Sequence, residues 1–156
     1  MEDNKKVNDP NQHPMLSQQL VDDVKLIVER GIREAYRSVN SVSILTYWNV
    51  GKRIVEEEQQ GESHAQYGKH LIDLLSQELS QVYPKGYSPR NLRDYRQFYL
   101  CFKDLEIWHS RVPNLTWTHY RKLLSVTSDD ARYWYVREAS SQSWSVRTLN
   151  CSLPSI

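Results

Sequence analysis

A membrane-spanning helix needs roughly 18 consecutive apolar residues, and the sequence has no run near that length. Its polar start, Met1 to Pro14, lacks the apolar core of a secretory signal, so a cytoplasmic protein with no membrane partner is expected. Two cysteines, Cys101 and Cys151, are too few and too far apart for a disulfide framework or a zinc cluster. Both read as buried or incidental thiols. The histidines at 13, 64, 70, 109 and 119 form no His-x-x-x-His pair and have no cysteine partner, which removes a zinc site. No serine stands in a Gly-x-Ser-x-Gly turn and no glycine-rich loop offers itself to a phosphate. No stretch alternates as a strand should, and no internal repeat is visible.

What is present is helical periodicity. Residues 1–16 hold Asn, Asp, Lys and two prolines and read as a disordered lead-in. From Ser17, apolar residues recur at spacings of three and four through Leu20, Val24, Ile27, Val28, Ile32, Ala35, Val39, Val42 and Leu45, extending to Val55. This predicts one long helix over 17–60, with Gly31 and residues 38–43 as weak points and Gly61 as its cap. The run Glu56-Glu57-Glu58 reads as a solvated face. A second helix fits Gly68 to Val82, and Tyr83-Pro84-Lys85-Gly86-Tyr87 breaks it. Ser88 then caps a third helix with Pro89 at its first position, where the missing N–H costs nothing. On it Leu92, Tyr95, Phe98, Tyr99 and Phe102 fall within about 120° of one another. Arg90, Arg93 and Gln97 project from the other side beside Asp94, with Arg96 on the flank. Thr116 or Thr118 caps a helix through Trp117, Tyr120 and Leu123, Ser128 caps another through Asp129 and Asp130, and Ser143 caps a last piece, Trp144 to Leu149. The expected fold is all-α, with a long N-terminal helix and a helix-turn-helix-like pair over 68–103.

The segments Gly86-Tyr87-Ser88-Pro89-Arg90-Asn91-Leu92-Arg93 and Arg96-Gln97-Phe98-Tyr99 resemble the N-terminal domain of the bacterial YhcG family. So do Tyr47-Trp48-x-x-Gly51, Trp117-Thr118-His119-Tyr120 with Leu123-Leu124, and Trp144-Ser145-Val146-Arg147. The resemblance covers about residues 18–149 and marks 17–149 as a helical domain of that type, with 150–156 as a tail departing from the family pattern. It implies a helical domain that normally precedes a PD-(D/E)XK nuclease domain and binds DNA or the partners of the nuclease. The nuclease domain itself is absent, so the chain reads as a truncated gene product or a free-standing accessory domain. A nuclease of that type needs clustered carboxylates for Mg²⁺ and a lysine, and no Pro-Asp followed by Asp/Glu-x-Lys appears. No catalytic residue, metal or cofactor is expected.

Binding remains. Residues 1–84 carry 9 Lys/Arg against 13 Asp/Glu, whereas 85–156 carry 11 against 6. Such segregation steers a polyanion, or equally lets the two parts attract each other. Arg90, Arg93 and Arg96 suit phosphates, or one suits a guanine edge; Asn91 or Gln97 suits adenine. Ser88 and the helix start offer donors to a phosphate, Lys85 and Tyr87 flank the turn, and His119 is either a phosphate donor or a structural histidine. Arg93 has the alternative of pairing with Asp94 or with an acid of the first half. The aromatics Tyr47, Trp48, Trp117, Tyr120, Trp134, Tyr135 and Trp144 read as core packing rather than a base-stacking platform. The expected role is a non-catalytic DNA-binding or accessory domain, for a nuclease that is either supplied as a separate subunit or lost. The alternative is an interaction module in which 17–60 pairs with a second copy.

Overall fold

The computed structural model describes residues 18–60, 65–105 and 114–154. The expected lead-in over 1–16 and the Gly61 cap lie outside them. Among the described residues there are six helices and no strand: α1 (Gln18–Gln60), α2 (Ala65–Val82), α3 (Pro89–Cys101), α4 (Trp117–Leu123), α5 (Asp129–Ser141) and α6 (Val146–Ser152). The fold is all-α. The chain divides into two compact units, Met1–Ala35 and Tyr36–Ile156.

In the first unit the described residues belong to α1, and Leu26, Ile27, Val28 and Ile32 are exposed there. In the second unit, the part of α1 from Ile44 onward is a core element. Ile44, Trp48, Ile54 and Val55 are buried, while Tyr36, Val39 and Val42 stay exposed.

The core of the second unit is aromatic. Tyr47 stacks flat on Tyr95 with ring centres 4.4 Å apart, and Trp117 tilts against Tyr47, Tyr95 and Phe98. Phe98 continues the chain of contacts to Phe102 and Tyr120. These edge and offset geometries suit the ring quadrupoles and add to the burial of large apolar surfaces. The expectation of core packing thus holds for Tyr47, Trp48, Trp117 and Tyr120, whereas Trp134 is exposed against Tyr135.

One glycine permits the central crossing. A Cβ on Gly51 would lie 1.9 Å from the backbone oxygen of Tyr95 and 2.6 Å from its carbonyl carbon. α1 and α3 therefore meet backbone against side-chain-free backbone, which lets Tyr47 and Tyr95 stack one turn away. The crossing is pinned at α3's far end, where the Trp48 indole donates to the Phe102 carbonyl at 2.8 Å.

Helix ends follow their caps. Ser88 Oγ accepts from the Asn91 N–H at 3.2 Å and Pro89 opens α3. Thr116, not Thr118, stands at the start of α4, and Ser128 Oγ accepts from Ala131 at the start of α5. The last helix differs from expectation. Ser145, not Ser143, is its cap, accepting from Thr148 N–H at 3.1 Å. Ser143 instead ends α5: its φ is +50°, its N–H reaches Ser140 O, and Trp144 N–H reaches Ala139 O. That pair of bonds closes a helix around a left-handed residue, the position glycine usually fills. Serine there gave no glycine signal, so the sequence pointed to the wrong hydroxyl. α6 itself runs on to Ser152.

Candidate nucleic-acid interface

The polar side of α3 is divided among its neighbours. Arg96 Nε donates to both carboxylate oxygens of Glu58 on α1, at 2.8 and 2.9 Å, with both side chains largely covered. Arg93 reaches Asp73 on α2 at 3.5 Å, in a pair that is more than half exposed. Asp94 is ion-paired with Arg121 on α4, Oδ2 to Nε at 2.8 Å. Three charges of one helix thus each meet an opposite charge on a different helix. The half-buried Arg96–Glu58 pair is screened less than the exposed Arg93–Asp73 pair, which contributes little.

Arg90 is exposed and forms no ion pair among the described residues. Lys85 is exposed in the preceding turn. Gln97 is exposed, and its Nε2 lies 3.3 Å from Cys101 Sγ. Asn91 is half-buried. Tyr87 is half-buried, with its ring against Tyr83 and Tyr95 and its carbonyl accepting the Ser76 hydroxyl at 2.8 Å. Its position is that of a spacer holding the turn against α2. The Tyr95 hydroxyl donates to Gly86 O at 2.7 Å and fixes the same turn from α3; Gly86, at φ +98°, occupies the left-handed region. Burial, and next the Tyr47 hydroxyl, push the Tyr95 phenol well above its ordinary range.

His119 stands apart from these. It is buried, its Nδ1 accepts from Thr116 N–H at 3.1 Å, and its Nε2 lies 2.8 Å from Trp144 O. A carbonyl can only accept, so Nε2 carries the proton. Both nitrogens are engaged inside the fold, tying the start of α4 to the segment before α6, and neither faces an external phosphate.

Two residues that sequence reasoning missed lie next to this motif. Arg121 and Lys122, on the last turn of α4, face the Arg90 side of α3 across a cleft of about 750 Å³, completed by Asn150 and Leu153 from α6 and its end. Their signal was weak: two basic residues after Trp117-Thr118-His119-Tyr120 look like any solvated helix end. A second, apolar groove of about 410 Å³ lies between α1 and α2, walled by Val50, Ile54, Leu71, Leu75 and Leu79. Among the described residues, no three of His, Cys, Asp or Glu converge as metal ligands would, and no helix is long and apolar enough to cross a membrane.

Residues 23–155 match the family model of the DUF1016 N-terminal domain. The chain belongs to that family. It is 37% identical over 161 residues to the putative nuclease YhcG of Escherichia coli (strain K12), an alignment that takes in 85% of this chain and 43% of that protein. The chain therefore spans less than half the length of this relative, and the aligned part is a domain of a nuclease-associated family. No solved structure matches it.

Proposed function

We propose that the chain is a non-catalytic DNA-binding domain of a nuclease-type protein. The observation that carries this reading is Arg90, exposed and outside every ion pair of the described residues, at the start of a helix preceded by an exposed lysine. In helix-turn-helix proteins the first residues of the second helix are the ones that meet DNA. α2 and α3, joined by a short turn, offer Lys85, Ser88, Arg90, Asn91 and Arg93 in that place, with Gln97 one turn further. Arg96 is tied to Glu58 and serves the α1–α3 crossing. The relative's designation as a putative nuclease supports nucleic acid as the partner.

Fluorescence anisotropy with a labelled duplex tests this. Each phosphate neutralised adds about −0.9 to the log–log salt slope. Arg90→Ala with Arg93→Ala is expected to weaken binding at least tenfold while leaving the circular dichroism melt near wild type. Unchanged affinity in the folded double variant removes this helix face from the interface.

A second reading is favoured by a different observation. Along α1, Leu26, Ile27, Val28 and Ile32 in the first unit are exposed, as are Tyr36, Val39 and Val42 in the second. Apolar surface in such quantity marks an association site more often than a free surface. This reading pairs α1 with a second copy. It predicts a dimer that persists at 0.5 M salt in sedimentation (~0.5 M being far above the range where surface charges act), dispersed by Val28→Glu with Ile32→Glu.

A further inference from the structure

We infer that the cleft between α3, α4 and α6 seats a stretch of phosphodiester backbone, gripped by Arg90, Arg121 and Lys122 and guarded by Asp94. This rests on the nucleic-acid reading above and names the part of DNA that is bound and the group that regulates access.

Charge indicates what enters. The cleft walls present Arg90, Arg121 and Lys122 against one carboxylate, Asp94. Arg90 and Lys122 are exposed, and neither forms an ion pair among the described residues. Arg121 is ion-paired with Asp94, Nε to Oδ2 at 2.8 Å, with its side chain still 35% exposed. A guanidinium is a planar fork of donors that suits a phosphate's oxygens. Thr118 adds a hydroxyl at the wall, whereas the Ser125 hydroxyl donates to the Lys122 carbonyl at 2.9 Å.

What lines the cleft also indicates which part of the nucleic acid fits. Its apolar members are Leu124 and Leu153, and no aromatic ring contributes. Bases held in a groove are stacked chiefly on aromatic side chains, and this cleft has none in its walls. The contact is therefore with backbone oxygens, which fix position without reading sequence. Duplex of any sequence should serve.

Asp94 sets the threshold. It stands one helical turn after Arg90 and holds Arg121 across the helix gap. A phosphate entering the cleft meets that carboxylate as a like charge, and it competes with it for Arg121. Neutralising Asp94 lowers the barrier on both counts, whereas removing the cations abolishes the seat.

The measurement is anisotropy of two labelled duplexes of unrelated sequence at several salt concentrations, with circular dichroism melts on each protein. Arg121→Ala with Lys122→Ala is expected to weaken binding about tenfold or more and to flatten the salt slope by about 1.8, two phosphates at 0.9 each. Lys122→Glu, altering only an exposed side chain, should weaken binding in the same direction and covers the case in which loss of Arg121 disturbs the fold. Asp94→Asn should tighten binding several-fold, and both duplexes should bind alike. If Lys122→Glu and the folded Arg121→Ala protein bind as wild type while Arg90→Ala with Arg93→Ala does not, the cleft is overturned and the α3 reading survives. Weaker binding by Asp94→Asn overturns the guard. A wild-type protein that binds neither duplex overturns both readings.

Discussion

Ser143 and His119 show how single side chains in this domain carry helix geometry rather than chemistry. A non-glycine residue in the left-handed region costs roughly 1–2 kcal/mol, and Ser143 sits there at φ +50°. Ser143→Gly is expected to raise stability by about 1 kcal/mol, since both bonds that close α5 come from the backbone and survive the change. A urea midpoint shift to higher concentration at unchanged slope would show it; a shift to lower concentration would contradict the assigned role. His119 bridges Thr116 and Trp144 from a buried position. His119→Ala leaves a backbone N–H and a carbonyl short of their partners and opens a void, and is expected to cost about 2–4 kcal/mol. DNA affinity, measured where the variant is still folded, should not change. A selective loss of DNA binding without destabilisation would return His119 to the interface.

At the scale of the element, α3 is less a free recognition helix than a hub. Its start, its apolar stripe and its arginines were all legible, because capping by Ser88, Pro89 at the first position and an unbroken 3.6-residue period agree with one another. Hidden from the sequence was the division of its polar side. Arg93 meets Asp73, one of the acids of the first half that its alternative reading allowed, and Arg96, on the flank, meets Glu58; these partners lie 20 and 38 positions earlier in the chain. Periodicity assigns a face, not a neighbour. The opposite charges of the two halves were visible, and these two pairs show part of that attraction satisfied inside the fold. Arg121 and Lys122 escaped notice for the same reason, since only tertiary packing brings them opposite Arg90. The α1–α3 crossing gives the sharpest prediction at this scale. Gly51→Ala places a methyl carbon inside the Tyr95 carbonyl, and backbone cannot rotate away as a side chain can. A loss of about 3 kcal/mol or more is expected, some 6–12 °C in melting temperature at about 2–4 °C per kcal/mol for a chain of this size. A melt within 2 °C of wild type (~0.5–1 kcal/mol at that conversion) would mean that the helices can separate without penalty.

For the whole molecule, the reliance on aromatic packing has an electrostatic side. Burial raises the phenols of Tyr95 and Tyr120 above their ordinary range, and burial with the nearby Asp104 and Asp129 does so for Tyr133. Below about pH 10, the ordinary phenol value, folded and unfolded chains both hold these protons and stability does not depend on them. As pH rises past that value the unfolded chain releases protons that the folded chain keeps, so unfolding gains and stability falls toward the higher folded values. Urea midpoints are therefore expected to stay level from about pH 7 to 9.5 and to drop between about 10 and 11.5. Tyr120→Phe should shallow that drop. A flat profile to pH 11.5 would mean that these phenols ionise as readily inside the domain as outside it.

The contact at Gly51 reaches beyond its own position. Where two helices touch main chain to main chain, any carbon beyond the α position is excluded, and the flat pair of rings one turn earlier is what the resulting closeness makes possible. Tyr47-Trp48-x-x-Gly51 thus gathers the junction into a single turn: the ring that stacks on Tyr95, the indole that holds Phe102 and the bare point of contact.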